Sequence, residues 1–151
     1  MARGTVEVDS AKIMAKFDEL KMTSAEYRKS LRSAIRQALN VIRSSVRRGA
    51  ATVTTNPEKS RKGVGLVVYR NGAGGQVNAY VPFYLSNGKV FRLLWLDKGT
   101  QDVIGRNGRR HGATPAKPFF WGAVNSSVGR ARSVLSDKIL SAIDKVAGKR
   151  K

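Results

Sequence analysis

The chain has 151 residues, 41% of them hydrophobic and 7% aromatic, enough for one domain with a modest core, because domains of this size bury roughly 70% of the surface their unfolded chain exposes. It contains no cysteine, which excludes disulfides and thiolate zinc sites, and no apolar run near the ~18 residues that a membrane span needs. Lysine and arginine number 29 against 10 aspartates and glutamates, a formal net charge of +19 that points to polyanionic or acidic partners.

The excess of positive charge starts after the first segment. Residues 1–22 carry four bases and four acids, whereas residues 23–56 carry seven bases and one acid. Met1 to Asp9 lacks the apolar centre of a secretory signal, so the sequence predicts a protein acting inside the cell that makes it. A short strand is expected at Thr5–Val8. A helical arm follows from about Ser10 to Leu20, with Ile13, Met14, Phe17 and Leu20 at helical spacing.

Thr23 and Glu26 have the spacing of a capping box and predict the start of a long helix. From Tyr27, the apolar positions Leu31, Ala34, Ile35, Ala38, Leu39, Ile42 and Val46 keep one face, and Gly49 is a suitable stop. Residues 52–63 mix turn formers with charge and predict an exposed connection. An antiparallel meander is then expected. Val64, Leu66 and Val68 alternate, as do Val77, Ala79, Val81, Phe83 and Leu85, and Val90 to Trp95 supplies a third strand, with glycine-rich turns between them. Pro82 lacks a ladder donor and marks an edge or bulge.

Thr100 to Lys117 has glycines at 105, 108 and 112 and no apolar period, and connections this long are usually functional or disordered. A last helix opens near Pro118, carries the stripe Phe120, Val124, Val128, Ala131, Leu135, Ile139, Ala142 and Val146, and ends at Gly148 before the basic tail of residues 149–151. The expected fold class is α+β: a long helix, a small antiparallel sheet, a long basic loop and a second long helix in one domain over residues 1–151.

Catalysis has little to work with. His111 is the only histidine and has no evident orienting carboxylate, and Asp97 with Asp102 is the only close acidic pair of the second half. Neither makes a nucleophile–base pair or a metal cluster, so no catalytic, cofactor or metal residue is assigned. The glycines of Gly63-Val64-Gly65 and Gly72-Ala73-Gly74-Gly75 do not open a helix after a strand, as phosphate cradling requires; they are expected to form hairpin turns.

The bases carry more information. Arg28, Arg32, Arg36, Arg43 and Arg47 return to one flank of the first long helix at steps of four and seven. Two readings of that flank stay open: a solvated face, or a contact surface for carboxylates or phosphates. Arg106, Arg109, Arg110 and His111 concentrate positive charge at the tip of the long loop. No aromatic platform is interleaved with the helix arginines, which limits nucleic-acid contact there to non-specific phosphate binding.

Phe91-Arg92-Leu93-Leu94-Trp95-Leu96-Asp97-Lys98-Gly99-Thr100, then a basic loop, then Pro115-Ala116-Lys117-Pro118-Phe119-Phe120-Trp121-Gly122-Ala123, resembles the tail-completion, or head–tail joining, family of long-tailed phages. In that family an apolar run ends in an acidic residue and Gly-Thr, an arginine-bearing loop of variable length follows, and a Pro-Phe segment opens the last helix, usually with an alanine soon after. Asp97, Gly99, Thr100, Pro118, Phe119 and Ala123 occupy those places. The likeness covers about residues 83–125. It departs from the pattern at Lys98, where a bulky apolar residue is common.

The resemblance implies a non-enzymatic virion protein at the neck or head-proximal end of the tail, made in the host cytoplasm. It would assemble as a homo-oligomeric ring and bind other head, connector and tail proteins; whether it also makes non-specific contact with genomic DNA stays open. Trp95, Asp97, Gly99, Thr100, Pro118, Phe119, Phe120 and Trp121 would form the assembly motif. Gly99 can take a positive φ, Thr100 can bond the backbone and Asp97 can pin that turn. Phe120 is expected in the core, and Phe119 or Trp121 against a neighbouring subunit. The rival reading, from charge alone, is a small basic protein with salt-dependent affinity for any duplex.

Overall fold

A computed structural model describes residues 4–7, 24–54, 56–70, 74–79, 83–84, 90–91, 93–102, 108, 110 and 112–148. The fold is α+β. In chain order the elements are β1 (Gly4–Glu7), α1 (Ser24–Val53), α2 (Pro57–Ser60), a 3-10 turn (Arg61–Gly63), β2 (Gly65–Val68), β3 (Gly74–Asn78), β4 (Phe83–Tyr84), β5 (Val90–Phe91), α3 (Leu93–Lys98) and α4 (Phe120–Gly148). The expected arm helix of residues 10–20, Thr23 of the capping box, Pro82 and the basic tail lie outside the described residues.

The two long helices pack along each other, and α1 also covers β2 and β3. Steps of three and four put Leu31, Ala34, Ile35, Ala38, Leu39, Ile42, Val46 and Ala50 of α1 in the core, with Phe119, Phe120, Val124, Ala131 and Leu135 from the start and middle of α4. On α4, Ser127 is buried on this same face. Its hydroxyl donates to the carbonyls of Ala123 (2.7 Å) and Val124 (3.1 Å), so burial leaves no orphan donor. Burial fades past Ile139, and Leu140 is exposed.

Gly49 does not stop α1; the helix runs on to Val53. Glycine inside a helix costs about 1 kcal/mol relative to alanine, and here burial of Ala50 and docking of the α4 entrance beside Gly49 offset that cost. A Cβ at Gly49 would lie 3.5 Å from the Phe119 carbonyl oxygen and from the Ala123 Cβ.

The expected antiparallel pairing of the first two strands forms, β2 against β3, but the rest of the sheet differs from the expected meander. β3 is the central strand of an antiparallel trio in the order β1-β3-β2, pairing Gly4 with Val77 on one side and Gly65 with Asn78 on the other. The expected run from Val77 to Leu85 is divided: β4 pairs with β5 in a separate ladder, Phe83 opposite Phe91 and Tyr84 opposite Val90. Gly74 and Gly75 belong to β3 itself, not to a hairpin turn.

Among the described residues of the expected third strand only Val90 and Phe91 are extended; from Leu93 the chain is helical. A strand would send Leu93, Trp95 and Asp97 to one face. In α3, Leu93 and Asp97 point inward at a step of four, and Trp95 is exposed. The expected exposed connection carries regular structure at α2 and the 3-10 turn. Glu58, Arg61 and Lys62 are exposed, but Ser60 is fully buried, with its hydroxyl donating to the Pro57 carbonyl at 2.7 Å.

Candidate functional site

The two halves of the Asp-Gly-Thr and Pro-Phe pattern meet in space. Gly99 ends α3 with φ +74°, and a Cβ there would stand 2.8 Å from the Thr114 carbonyl oxygen and 2.9 Å from the Ala116 nitrogen. Only glycine suits that backbone and that clearance. Thr100 and Thr114 exchange backbone hydrogen bonds at 2.9 and 3.2 Å, and the Thr114 N–H also donates to the Thr100 hydroxyl at 3.1 Å. The Lys117 N–H donates to the Leu96 carbonyl at 2.7 Å. Both feet of the long loop are thereby clamped together at the base.

Asp97 does more than pin the turn after it. Its Oδ1 accepts from the Phe119 N–H (3.0 Å) and the Phe120 N–H (3.1 Å), with the side chain only 5% exposed. The Phe119 carbonyl accepts the first helical bond of α4, from Ala123 at 3.1 Å, which puts Phe119 in the N-cap position without a polar side chain of its own. Asp97 supplies the missing cap from another segment. Its carboxylate also sits at the positive end of a 29-residue helix, the favourable pole for an anion.

Capping fixes where the aromatic residues go. Phe119 and Phe120 are both buried, so Phe119 is a core residue and not a contact for a neighbouring subunit as the sequence had allowed. Trp121 is 45% exposed and stands edge-on to Phe120, with ring centroids 5.6 Å apart, and Trp95 is 40% exposed. Pro118 is exposed just ahead of the helix. On the loop, Arg110 comes within 4.0 Å of Asp102 with both side chains largely in solvent, a contact of little energetic weight. Arg106, Arg109 and His111 lie outside the described residues.

The arginine flank of α1 separates into two environments. Arg28, Arg32 and Arg36 are exposed and line an open groove with Ala25, Lys29, Ser33 and, from beyond β2, Arg70. Arg43 and Arg47 turn toward the 61–64 segment. The Arg43 Nε–H donates to the Val64 carbonyl at 3.3 Å, whereas the Arg47 Nε is buried and meets no acceptor. Desolvation, then the charges of Arg43 and Arg61, push the Arg47 pKa below its ordinary value.

A base whose pKa is depressed by folding holds its proton more weakly in the native state, so stability rises with pH only in the far alkaline range where it titrates. At neutral pH Arg47 is charged in both states and the penalty is constant. Replacing the head group while keeping the stem should relieve it. Arg47→Met is expected to stabilise the fold by about 1 kcal/mol, the scale of one unsatisfied buried donor. Thermal melting should show a midpoint raised by roughly 2–4 °C. An unchanged or lowered midpoint would mean that the guanidinium is satisfied in solution.

Arg70 was not visible as a groove residue in the sequence, because no helical period connects it to α1; only the fold brings it there. Among the described residues, no group of three or more histidines, aspartates or glutamates is placed to hold a metal ion, and no helix is long and apolar enough to cross a membrane. Comparison of the chain with protein-family models, curated proteins and solved structures gave no match.

Proposed function

We propose that the chain is a structural subunit of a long-tailed phage virion, at the neck or the head-proximal end of the tail, which closes into a homo-oligomeric ring and joins head to tail. Its work is assembly, with no substrate turned over and no cofactor. The observation that carries this reading is the Asp97 cap. The acid before Gly99-Thr100 and the helix opening at Pro118-Phe119 are the two parts of the family-like pattern, and one carboxylate bonded to two buried amides ties them into a unit. That unit holds Trp121 outward on a rigid helix entrance, as a subunit interface requires of its anchor residues.

In this reading Trp121 and Trp95 are the apolar anchors against neighbouring protein, and the arginine-bearing loop between Thr100 and Thr114 reaches toward other neck or tail proteins. Trp121→Asp tests it. An acid in the first turn of a helix is favourable, so the fold should be kept and the melting midpoint should stay within a few degrees of wild type. Self-association followed by sedimentation across a concentration series should fall at least tenfold, because truncating an aromatic anchor commonly costs 2 kcal/mol or more. Unchanged association of the folded variant would remove Trp121 from the interface.

A further inference from the structure

We propose that the groove formed by Arg28, Arg32, Arg36 and Arg70 is a sequence-independent binding site for the phosphate backbone of duplex nucleic acid. It goes beyond the ring assignment, which concerns contacts between proteins, and does not depend on it. Among the described residues that line the groove, these four arginines and Lys29 stand with Ala25 and Ser33 and no carboxylate is found, and Arg28 also has an interaction of its own. Arg28, Arg32 and Arg36 recur every fourth residue, a rise of about 6 Å per step and about 12 Å in all. Duplex DNA carries one charge per ~3.4 Å of axis on each strand, and because the strand winds around that axis the row meets a few successive phosphates of one strand. Arg70, from a different element, widens this row into a cradle.

The lining favours phosphates over an acidic protein surface. Protein interfaces centre on aromatic or large apolar anchors surrounded by a polar rim, and none of the exposed large apolar residues, Val67, Tyr69, Trp95, Trp121 and Leu140, lines this groove. Backbone contacts to nucleic acid need only guanidinium, ammonium and hydroxyl donors, which is the set present. Among the described residues no aromatic ring lines the groove, so none offers a single-strand stacking platform. Arg43 and Arg47 share the helix flank but face the 61–64 segment, so they serve as an internal control.

The test is fluorescence anisotropy of a labelled mixed-sequence duplex titrated with the full chain between 50 and 200 mM salt. Five phosphate contacts give a slope of about −4.5 in log K against log salt, a loss on the order of several hundred-fold over that range. The variant with serine at positions 28, 32, 36 and 70 should keep its helical circular dichroism, and its slope should shrink by about three to four. Lysine at the same positions should restore most of the slope, since non-specific binding counts charges. Serine at 43 and 47 should leave it unchanged. A slope unaltered by the fourfold serine variant would overturn the site, as would poly-glutamate competing as well as duplex of equal charge. Neither outcome touches the ring assignment, because no assembly is measured.

Discussion

Asp97→Ala is expected to destabilise the protein by about 2–4 kcal/mol. The substitution strands the amides of Phe119 and Phe120, both in buried residues, and an unsatisfied buried donor costs about 1–3 kcal/mol. It also removes the anion from the α4 N-terminus, which contributes up to ~2 kcal/mol in a partly buried setting. For a chain of this length the melting midpoint should fall by roughly 5–15 °C. Asp97→Asn keeps an oxygen in the accepting position and loses only the charge assistance, so it should recover about half of the loss. A change under 0.5 kcal/mol for the alanine variant would show that the cap does not hold the two segments together. Because Trp121 follows directly, loosening this entrance should weaken self-association as well.

Gly75→Ala should cost about 2–3 kcal/mol. A Cβ at Gly75 would stand 2.5 Å from the Leu39 Cδ1 and 2.5 Å from the Val67 carbonyl oxygen, with the Val68 Cα at 3.2 Å. Leu39 is fully buried and the other two atoms are backbone of the neighbouring strand, so no flexible side-chain end can move aside, and overpacking of this kind typically costs 1–3 kcal/mol. Gly49→Ala is the matched control. There the nearest atoms lie at 3.5 Å, an ordinary contact, and removal of a glycine from a helix interior should stabilise by about 0.5–1 kcal/mol. Opposite signs in denaturant titrations are the expected result. Two destabilising changes would mean that the close helix contact at Gly49 leaves no room for a methyl group.

The parts of the fold that follow from periodicity were legible in the sequence. Both long helices carry their core residues at steps of three and four over many turns, and Val64, Val77 and Phe120 are buried as the pattern implied. Short apolar runs were not. Leu93 to Leu96 has no internal period that separates strand from helix, and only the placement of Asp97 against the α4 amides settles it as helix. The pairing of β1 with β3 joins residues about 70 positions apart, a partnership no local pattern encodes. Gly49 carried a stop signal that tertiary packing overrides.

The candidate site was half legible. Asp97 and the helix entrance were both picked out, but the bond between them spans 22 residues. One signal could have foretold it: Phe119 occupies an N-cap with no oxygen of its own, so its helix needs an acceptor from elsewhere. The arginine flank was correctly periodic along the helix, yet periodicity gives direction around an axis and not the neighbours found there. Arg43 bonds the Val64 carbonyl, Arg47 is partly buried beside the like charges of Arg43 and Arg61, and Arg70 joins the exposed remainder.

Ring closure is the central claim, and electron microscopy of the purified full chain tests it most directly. An isologous pair or a strict monomer at every concentration has no means of forming a neck, whereas a heterologous interface repeated around an axis gives closed particles of one size. Class averages are predicted to show rings with a single rotational symmetry and a central opening, absent from the Trp121→Asp protein. Monomers, or open filaments without closure, at concentrations up to the limit of solubility would contradict the assignment.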